Sequence, residues 1–142
     1  RAGARDVVLV EGFKDRVKEL TGGRGVDIVV DPVGGDRFTD SIRSLGRGGR
    51  ILVLGFTAGD IPTVKVNRLL LNNVDVVGVG WGAWWMGDPQ LLATQWEPIE
   101  PLLASGKLSA PEPVTHPLDE AATAIASLEN RTARGKVVLT VR

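Results

Sequence analysis

The amino-acid sequence predicts an α/β fold in which helices flank a doubly wound parallel sheet. Three runs of apolar, β-branched residues lack polar/apolar alternation, as expected of strands that are covered on both faces. These runs are residues 6–10, 26–31 and 50–56. Between them, apolar residues recur at the three- and four-residue spacing of amphipathic helices. Strands and helices that alternate at this pitch form a βαβαβ unit with right-handed crossovers.

The elements can be placed in order along the chain. The two helices between the strands are predicted in residues 13–23 and 36–49, and each is expected to end at a pair of glycines. A short apolar helix, NRLLLNN, then precedes a fourth strand over residues 74–80. The sheet is therefore expected to contain at least four strands.

The C-terminal part differs in composition from the rest. A helix is predicted from an N-cap at Asp88, with Pro98 and Pro101 kinking or dividing it. A Pro-rich segment, another helix and a last strand, residues 135–141, follow. We therefore expect one domain over residues 1–108 and a separate segment over residues 109–142.

Composition excludes several classes of function. The chain has 142 residues, with 17 basic and 17 acidic side chains, so its formal charge is zero and it shows no electrostatic signature of nucleic-acid or membrane binding. Cysteine is absent, which excludes a thiol nucleophile in this segment and suits a cytoplasmic protein. No initiator Met is present, and we expect the chain to be a fragment of a longer protein.

Glycines lie at or just after the carboxyl ends of three predicted strands, at Gly34, Gly55 and Gly80. The carboxyl ends of parallel strands meet at the edge of the sheet where ligands bind, although such glycines also occur in turns that need a positive φ.

The sequence GVGWGA, residues 78–83, matches the G-x-G-x-x-G/A phosphate-binding pattern. We expect WWMGDP to delay the following helix, which argues against a phosphate turn and favours a simple strand end.

Individual polar and aromatic residues allow more than one interpretation. Asp31 ends a strand, where a carboxylate typically caps the next turn, and His116 is interpreted as a surface loop residue. The three neighbouring tryptophans, Trp81, Trp84 and Trp85, have three interpretations: they line a ligand pocket, cover a subunit interface, or pack within the chain. Packing or an interface is favoured for Trp84 and Trp85. The basic cluster in NRTARGK is a solvated turn or a phosphate clamp.

Four segments together resemble the C-terminal half of the medium-chain dehydrogenases/reductases, in the branch of the quinone oxidoreductases similar to zeta-crystallin. The segments are residues 20–35, 45–67, 69–82 and 117–141. The resemblance implies a Rossmann-like parallel sheet flanked by helices, truncated and lacking its first two strands, with the phosphate loop before residue 1. Residues 1–108 would be a partial dinucleotide-binding domain, and residues 109–142 would return to the catalytic domain of the parent.

The resemblance also implies a cofactor, NADP (NADPH), and the residues that contact it. Some would line the nicotinamide, others would lie along the adenosine, and an arginine would lie near the cofactor. The implied cofactor-binding residues are Val33, Gly34, Gly55, Phe56, Thr57, Gly80, Trp81 and Arg131. No catalytic or metal-binding residue is identified in this segment.

The function implied by the resemblance is hydride transfer from NADPH to a quinone or enone, a small-molecule substrate. Relatives pair the edge strand corresponding to residues 74–80 across a two-fold axis, which implies a homodimer. The isolated chain is expected to be inactive, because the helix that would hold the pyrophosphate is missing. The alternative is a non-enzymatic dimerisation or nucleotide-binding module.

Overall fold

The computed structural model describes residues 3–141, which fall into an N-terminal unit ending at Asp88 and a C-terminal unit beginning at Pro89. The N-terminal unit contains α1 (Phe13–Leu20), β1 (Val26–Asp31), α2 (Phe38–Arg43), β2 (Leu45–Val53), α3 (Asn67–Asn72), β3 (Asp75–Gly78) and α4 (Trp81–Gly87). The C-terminal unit contains α5 (Gln90–Trp96), α6 (Glu100–Ala104), β4 (Val114–Pro117), α7 (Ala121–Glu129) and β5 (Val137–Thr140).

The sheet of the N-terminal unit is parallel, with the strand order β1-β2-β3. Ile51 of the central strand, β2, pairs with Val29 on one side and with Val76 on the other. This arrangement confirms the predicted α/β class with a Rossmann-like parallel sheet flanked by helices. It also places β3 at an edge of the sheet.

The core of this unit lies between the sheet and two of its helices. Phe38 and Ile42 of α2 pack with Ile51 and Val74, and Leu69 of α3 packs against this cluster. Full burial of side chains of this size contributes about 1.5–3 kcal/mol each. The core therefore lies on one face of the sheet, against α2 and α3.

The other face of β1 is open in the described residues. Ile28 is 55% exposed and Val30 is 60% exposed. The prediction that all these strands are covered on both faces is therefore wrong for β1, since both side chains are more than half exposed.

Residues 6–10 do not form a strand, so the predicted sheet of at least four strands is wrong. The segment has no ladder pairing with β1, and the side chains of Val7 and Leu9 are exposed. Strand formation needs a neighbouring backbone as well as apolar, β-branched residues. Val8, Leu9 and Val10 instead border a cavity beside β1.

The glycines of LGRGG lie inside β2 and do not terminate a helix as predicted. α2 ends at Arg43, and β2 begins at Leu45. Val26 pairs with Leu45 and Ile28 pairs with Arg50, so two residue steps on β1 match five on β2, and the extra residues bulge out. The predicted end of the first helix is confirmed, because α1 ends at Leu20 just before the Gly22–Gly23 pair.

The C-terminal unit contains a two-stranded parallel sheet, in which β4 pairs with β5. The predicted division of the long helix is confirmed, since α5 ends at Trp96 and α6 begins at Glu100. The Pro-rich segment contains an unpredicted strand, β4, with Pro117 as its last residue. Among residues 3–141, no helix is long and apolar enough to cross a lipid bilayer.

Candidate functional site

The turns that follow β1 and β2 are joined to each other by backbone hydrogen bonds. The donors and acceptors are Leu54 N to Asp31 O (2.9 Å), Thr57 N to Pro32 O (3.2 Å) and Ala58 N to Val33 O (3.0 Å). The Thr57 hydroxyl also donates to Pro32 O, at 3.2 Å. Because the strands are parallel, the two turns lie at the same edge of the sheet and form one linked surface.

Asp31 fixes the first of these turns. Its side chain is buried, with the residue 7% exposed, and Oδ1 accepts hydrogen bonds from the backbone N–H groups of Val33 and Gly34, both at 2.9 Å. The predicted capping role of Asp31 is therefore confirmed. Its other oxygen, Oδ2, is buried and has no hydrogen-bond partner among residues 3–141.

A cavity of about 220 Å³ lies beside Asp31. Most of its lining side chains are apolar and come from residues 8–10 and from β1, and Arg37 and Ser41 also contribute. A buried acceptor without a donor costs about 1–3 kcal/mol. A ligand's hydroxyl or amine group would supply the missing donor only if the surrounding side chains moved, because less than 1 Å² of this oxygen is accessible.

Gly34 adopts a conformation that side-chain-bearing residues rarely adopt, with φ 66° and ψ −143°. The interpretation of this glycine as part of a positive-φ turn is confirmed. A Cβ added here would lie 3.1 Å from Phe56 Cδ1 and 3.3 Å from Pro62 Cδ. The absence of a side chain at Gly34 thus lets the first turn approach the loop that follows β2.

The end of the third strand reaches the same edge. Val79 N donates to Val53 O at 2.9 Å, which continues the pairing beyond β3. α4 then begins at Trp81, directly after its N-cap Gly80, so the expected delay of the helix by WWMGDP is wrong. The rings of Trp81 and Trp85, one helical turn apart, lie 6.2 Å apart in a tilted arrangement, and such a contact stabilises a helix.

The structure brings most of the predicted cofactor-binding residues to one edge of the sheet. Val33 and Gly34 lie in the first turn, and Gly55, Phe56 and Thr57 lie in the second. Gly80 and Trp81 follow β3 at the same edge, whereas Arg131 belongs to the C-terminal unit. Their contacts with a cofactor stay predictions.

Sequence reasoning missed one feature of this site and misplaced His116. The unpaired Oδ2 of Asp31 was not foreseen, although an acid at the end of an apolar strand marked the position. His116 lies in β4 and not in a surface loop; its ring is partly buried, with Nδ1 3.3 Å from Glu120 Oε2. Trp84 is 72% exposed, so packing within the chain does not explain it.

Arg131 occupies an unusual backbone position at the end of α7. Its φ is 56°, in the left-handed region. Arg131 N donates to Leu128 O at 3.1 Å, and Thr132 N donates to Ser127 O at 2.9 Å. This pair of bonds is a Schellman motif, in which the residue at the position of Arg131 is usually glycine.

The residues do not fit a metal site. Among residues 3–141, no group of three or more His, Cys, Asp or Glu side chains is arranged to hold a metal ion.

Comparisons with known proteins identify the family. A family model described as zinc-binding dehydrogenase matches residues 2–139. The chain is 36% identical over 133 residues to a quinone oxidoreductase-like protein 2 homolog of Nematostella vectensis, covering 93% of this chain and 36% of that protein.

Solved structures give the same result. A probable oxidoreductase from Mycobacterium abscessus matches with a TM-score of 0.78 and 38% identity, over 98% of this chain and 41% of that one. An Escherichia coli quinone oxidoreductase complexed with NADPH matches with a TM-score of 0.81 and 26% identity, over 98% and 44%. This chain spans less than half of each of these relatives. It belongs to the zinc-binding dehydrogenase family of the medium-chain dehydrogenases/reductases.

Proposed function

We propose that this chain is the cofactor-binding part of an NADPH-dependent oxidoreductase that transfers hydride to a quinone or an enone. Relatives described as quinone oxidoreductases support the reaction, and one of them was solved with NADPH. The structural observation that carries the proposal is the linked pair of turns at the carboxyl ends of β1 and β2, with the unpaired Asp31 Oδ2 beside them.

The residues of this edge suit the parts of a dinucleotide. Adenosine carries hydroxyl and amine donors, one of which would pair with Asp31 Oδ2 after a shift of the side chains that cover this oxygen, while the ring lies along Val33 and Gly34. Gly55 has no side chain to block the approach of the nicotinamide. A Cβ there would lie 3.4 Å from Pro32 O, which is an ordinary contact, so the chain's own packing does not require glycine at this position. The nicotinamide supplies the hydride chemistry, and the chain binds and orients it.

Zinc has no part in this proposal. The family takes its name from zinc, but the described residues lack a suitable group of ligands.

The cytoplasmic location of the protein stays a prediction.

The substitution Asp31→Asn tests the proposed adenosine contact. The amide oxygen keeps the acceptor for Val33 and Gly34, while an NH₂ group replaces Oδ2 and presents a donor where an acceptor is needed. We expect the chain to remain folded by circular dichroism and its affinity for NADPH, measured by cofactor fluorescence, to fall about tenfold.

Asp36→Asn is the matched control, since Asp36 is exposed, lies in the same region and does not line the cavity beside Asp31. Its affinity for NADPH should stay within about twofold of the unchanged chain. Failure of the unchanged chain to bind NADPH, or equal losses in both variants, would contradict the proposed site.

A homodimer through residues 74–80 is the proposed assembly. β3 is an edge strand, and its one charged residue, Asp75, lies 3.8 Å from Arg50 on β2, which leaves little charge to discourage pairing. The exposed rings of Trp81 and Trp84 follow the same strand. Light scattering at micromolar concentration should give a dimer for the unchanged chain.

The variant Val79→Lys should give a monomer, because a lysine on an edge strand opposes strand pairing. Val66→Lys, at an exposed valine outside the edge strand, is the control and should leave the dimer intact. A monomer before any substitution would refute the proposed assembly.

A further inference from the structure

A second cavity, of about 370 Å³, lies among α1, α2 and α3. Its polar and charged lining residues are Lys14, Asp15, Lys18, Arg43, Arg68 and Asn72. Leu45, the first residue of β2, also lines it and pairs with Val26 at the start of β1. Five residue steps of β1, about 17 Å at ~3.3 Å per residue, separate this end of the strand from Asp31. The cavity is therefore distinct from the candidate cofactor site.

The lining of this cavity concentrates positive charge. Four cationic side chains face one carboxylate of the lining, that of Asp15, and Asp40 outside the lining pairs with Arg43 at 3.2 Å, which leaves a net charge of two positive. The whole chain has a formal net charge of zero, so this concentration is local. Asp15 is itself mostly exposed and lies 3.2 Å from Lys14 Nζ. Its carboxylate offsets one of the four cations.

Helix dipoles explain only two of the cations. Lys18 and Arg43 lie in the last turns of α1 and α2, where positive charge is favoured. Lys14 and Arg68 are the second residues of α1 and α3, where positive charge is disfavoured. Arg68 is partly buried, and no carboxylate among residues 3–141 lies within ion-pair distance of it. Its position is unfavourable unless an anion accompanies it.

We infer that this cavity binds a small oligophosphate anion, with two linked phosphate groups as in pyrophosphate. The two guanidinium groups match the bidentate geometry of phosphate oxygens, and the two lysines add point charges. Each phosphate group carries about −1.5 to −2 charges, so two phosphates match the four cationic side chains when the anion takes the place of the Asp15 and Asp40 carboxylates beside Lys14 and Arg43. This site is independent of the proposed cofactor-binding function.

The experiment is a titration of the ¹⁵N-labelled chain with sodium pyrophosphate at constant ionic strength. We expect backbone shift changes at residues 14, 18, 43 and 68. Arg68→Gln should weaken pyrophosphate binding about tenfold, because it removes a charge-assisted bidentate contact. Without pyrophosphate, the same substitution should raise the melting temperature by about 1–3 °C, because it removes an uncompensated charge.

Arg16→Gln is the matched control, since Arg16 lies on the other side of α1 and pairs with Glu19 at 2.8 Å. It should leave pyrophosphate affinity within about twofold. Equal losses in both variants, shifts elsewhere, or no binding beyond that of chloride would overturn the inference. If citrate binds as tightly as pyrophosphate, the inference that the cavity recognises phosphate groups is overturned.

A second titration, with ADP, tests the source of the anion. Shift changes at the same residues would identify the ligand as a nucleotide, and their absence would identify it as a free oligophosphate.

Discussion

The two ends of β1 each have a glycine with a positive φ, but different kinds of atoms pack against them. A Cβ added at Gly25 would lie 2.6 Å from Gly46 N and 2.7 Å from Ser44 O, both backbone atoms. A Cβ added at Gly34 would meet the side chains of Phe56 and Pro62, at 3.1 and 3.3 Å. Side chains can shift to make room, whereas a paired backbone cannot shift without loss of hydrogen bonds. The amino end of β1 therefore serves as scaffold, and the carboxyl end retains the freedom that a binding site needs.

The substitution Gly25→Ala should give the largest effect. The methyl group would clash with the backbone of the β2 bulge, and the φ of 84° is unfavourable for alanine. We expect a loss of about 3–5 kcal/mol in the free energy of unfolding, measured by urea denaturation. Since small domains have only about 5–15 kcal/mol in total, much of the stability would be lost.

Gly22→Ala is the control for this substitution. Gly22 has a φ of 60°, and a Cβ there would meet no atom within 4 Å. The backbone term alone should cost about 1 kcal/mol. Equal losses at Gly22 and Gly25 would show that the close backbone approach does not matter.

Gly34→Ala should have an intermediate effect, confined to the carboxyl end. We expect a loss of about 2–3 kcal/mol, because the backbone conformation is one that glycine alone adopts easily while Phe56 can move aside. Hydrogen exchange should speed up in residues 31–34 and 54–58 and stay unchanged around Gly25. Affinity for NADPH should fall as well, since the two linked turns carry the proposed contacts. Faster exchange across the whole sheet would remove the contrast between the two ends.

Much of the fold was predictable because the local patterns are strong. The apolar runs at β1, β2 and β3 and the helical spacing in α1 and α2 all correspond to elements of the structure. Residues 6–10 have the same strand pattern but form no strand, because backbone pairing depends on a neighbour that the segment itself does not specify. The glycines after Leu45 likewise match a helix stop, although they serve a bulge packed on Gly25.

The candidate site was predictable to the extent that it follows from topology. Parallel strands place their carboxyl ends together, so the grouping of Gly34 with Gly55 could be foreseen. The unpaired Oδ2 of Asp31 could not, because its burial depends on tertiary packing that the sequence of the strand does not specify. The direct start of α4 after Gly80 was also missed, because tryptophan and glycine are only moderate to poor helix formers.

Arg131 extends the comparison to a third position with a positive φ. α1 and α7 end with the same pair of hydrogen bonds and nearly the same φ at the residue after the cap, 60° and 56°. In α1 that residue is Gly22, and in α7 it is Arg131. A residue with a side chain in this conformation lowers the free energy of unfolding by about 1–2 kcal/mol. The end of α7 nevertheless has room for the side chain of Arg131. Arginine stands where glycine is favoured, as expected if its guanidinium group has a role.

The substitution Arg131→Gly should therefore have the smallest effect on stability, and of opposite sign. Glycine relieves the strain of the left-handed backbone, but it also increases the conformational entropy of the unfolded chain, which offsets part of the gain. The net effect should stabilise the fold by about 0.5–1 kcal/mol, which corresponds to a rise of about 2–4 °C in Tm. Arg134→Gly removes the same charge at a residue without a positive φ and should lower the Tm slightly. If Arg131 contacts the cofactor as predicted, Arg131→Gly should also weaken NADPH binding, so that stability rises while affinity falls. A rise in Tm with unchanged affinity would leave the backbone argument intact and refute the contact, whereas a fall in Tm would show that the arginine itself stabilises the end of α7.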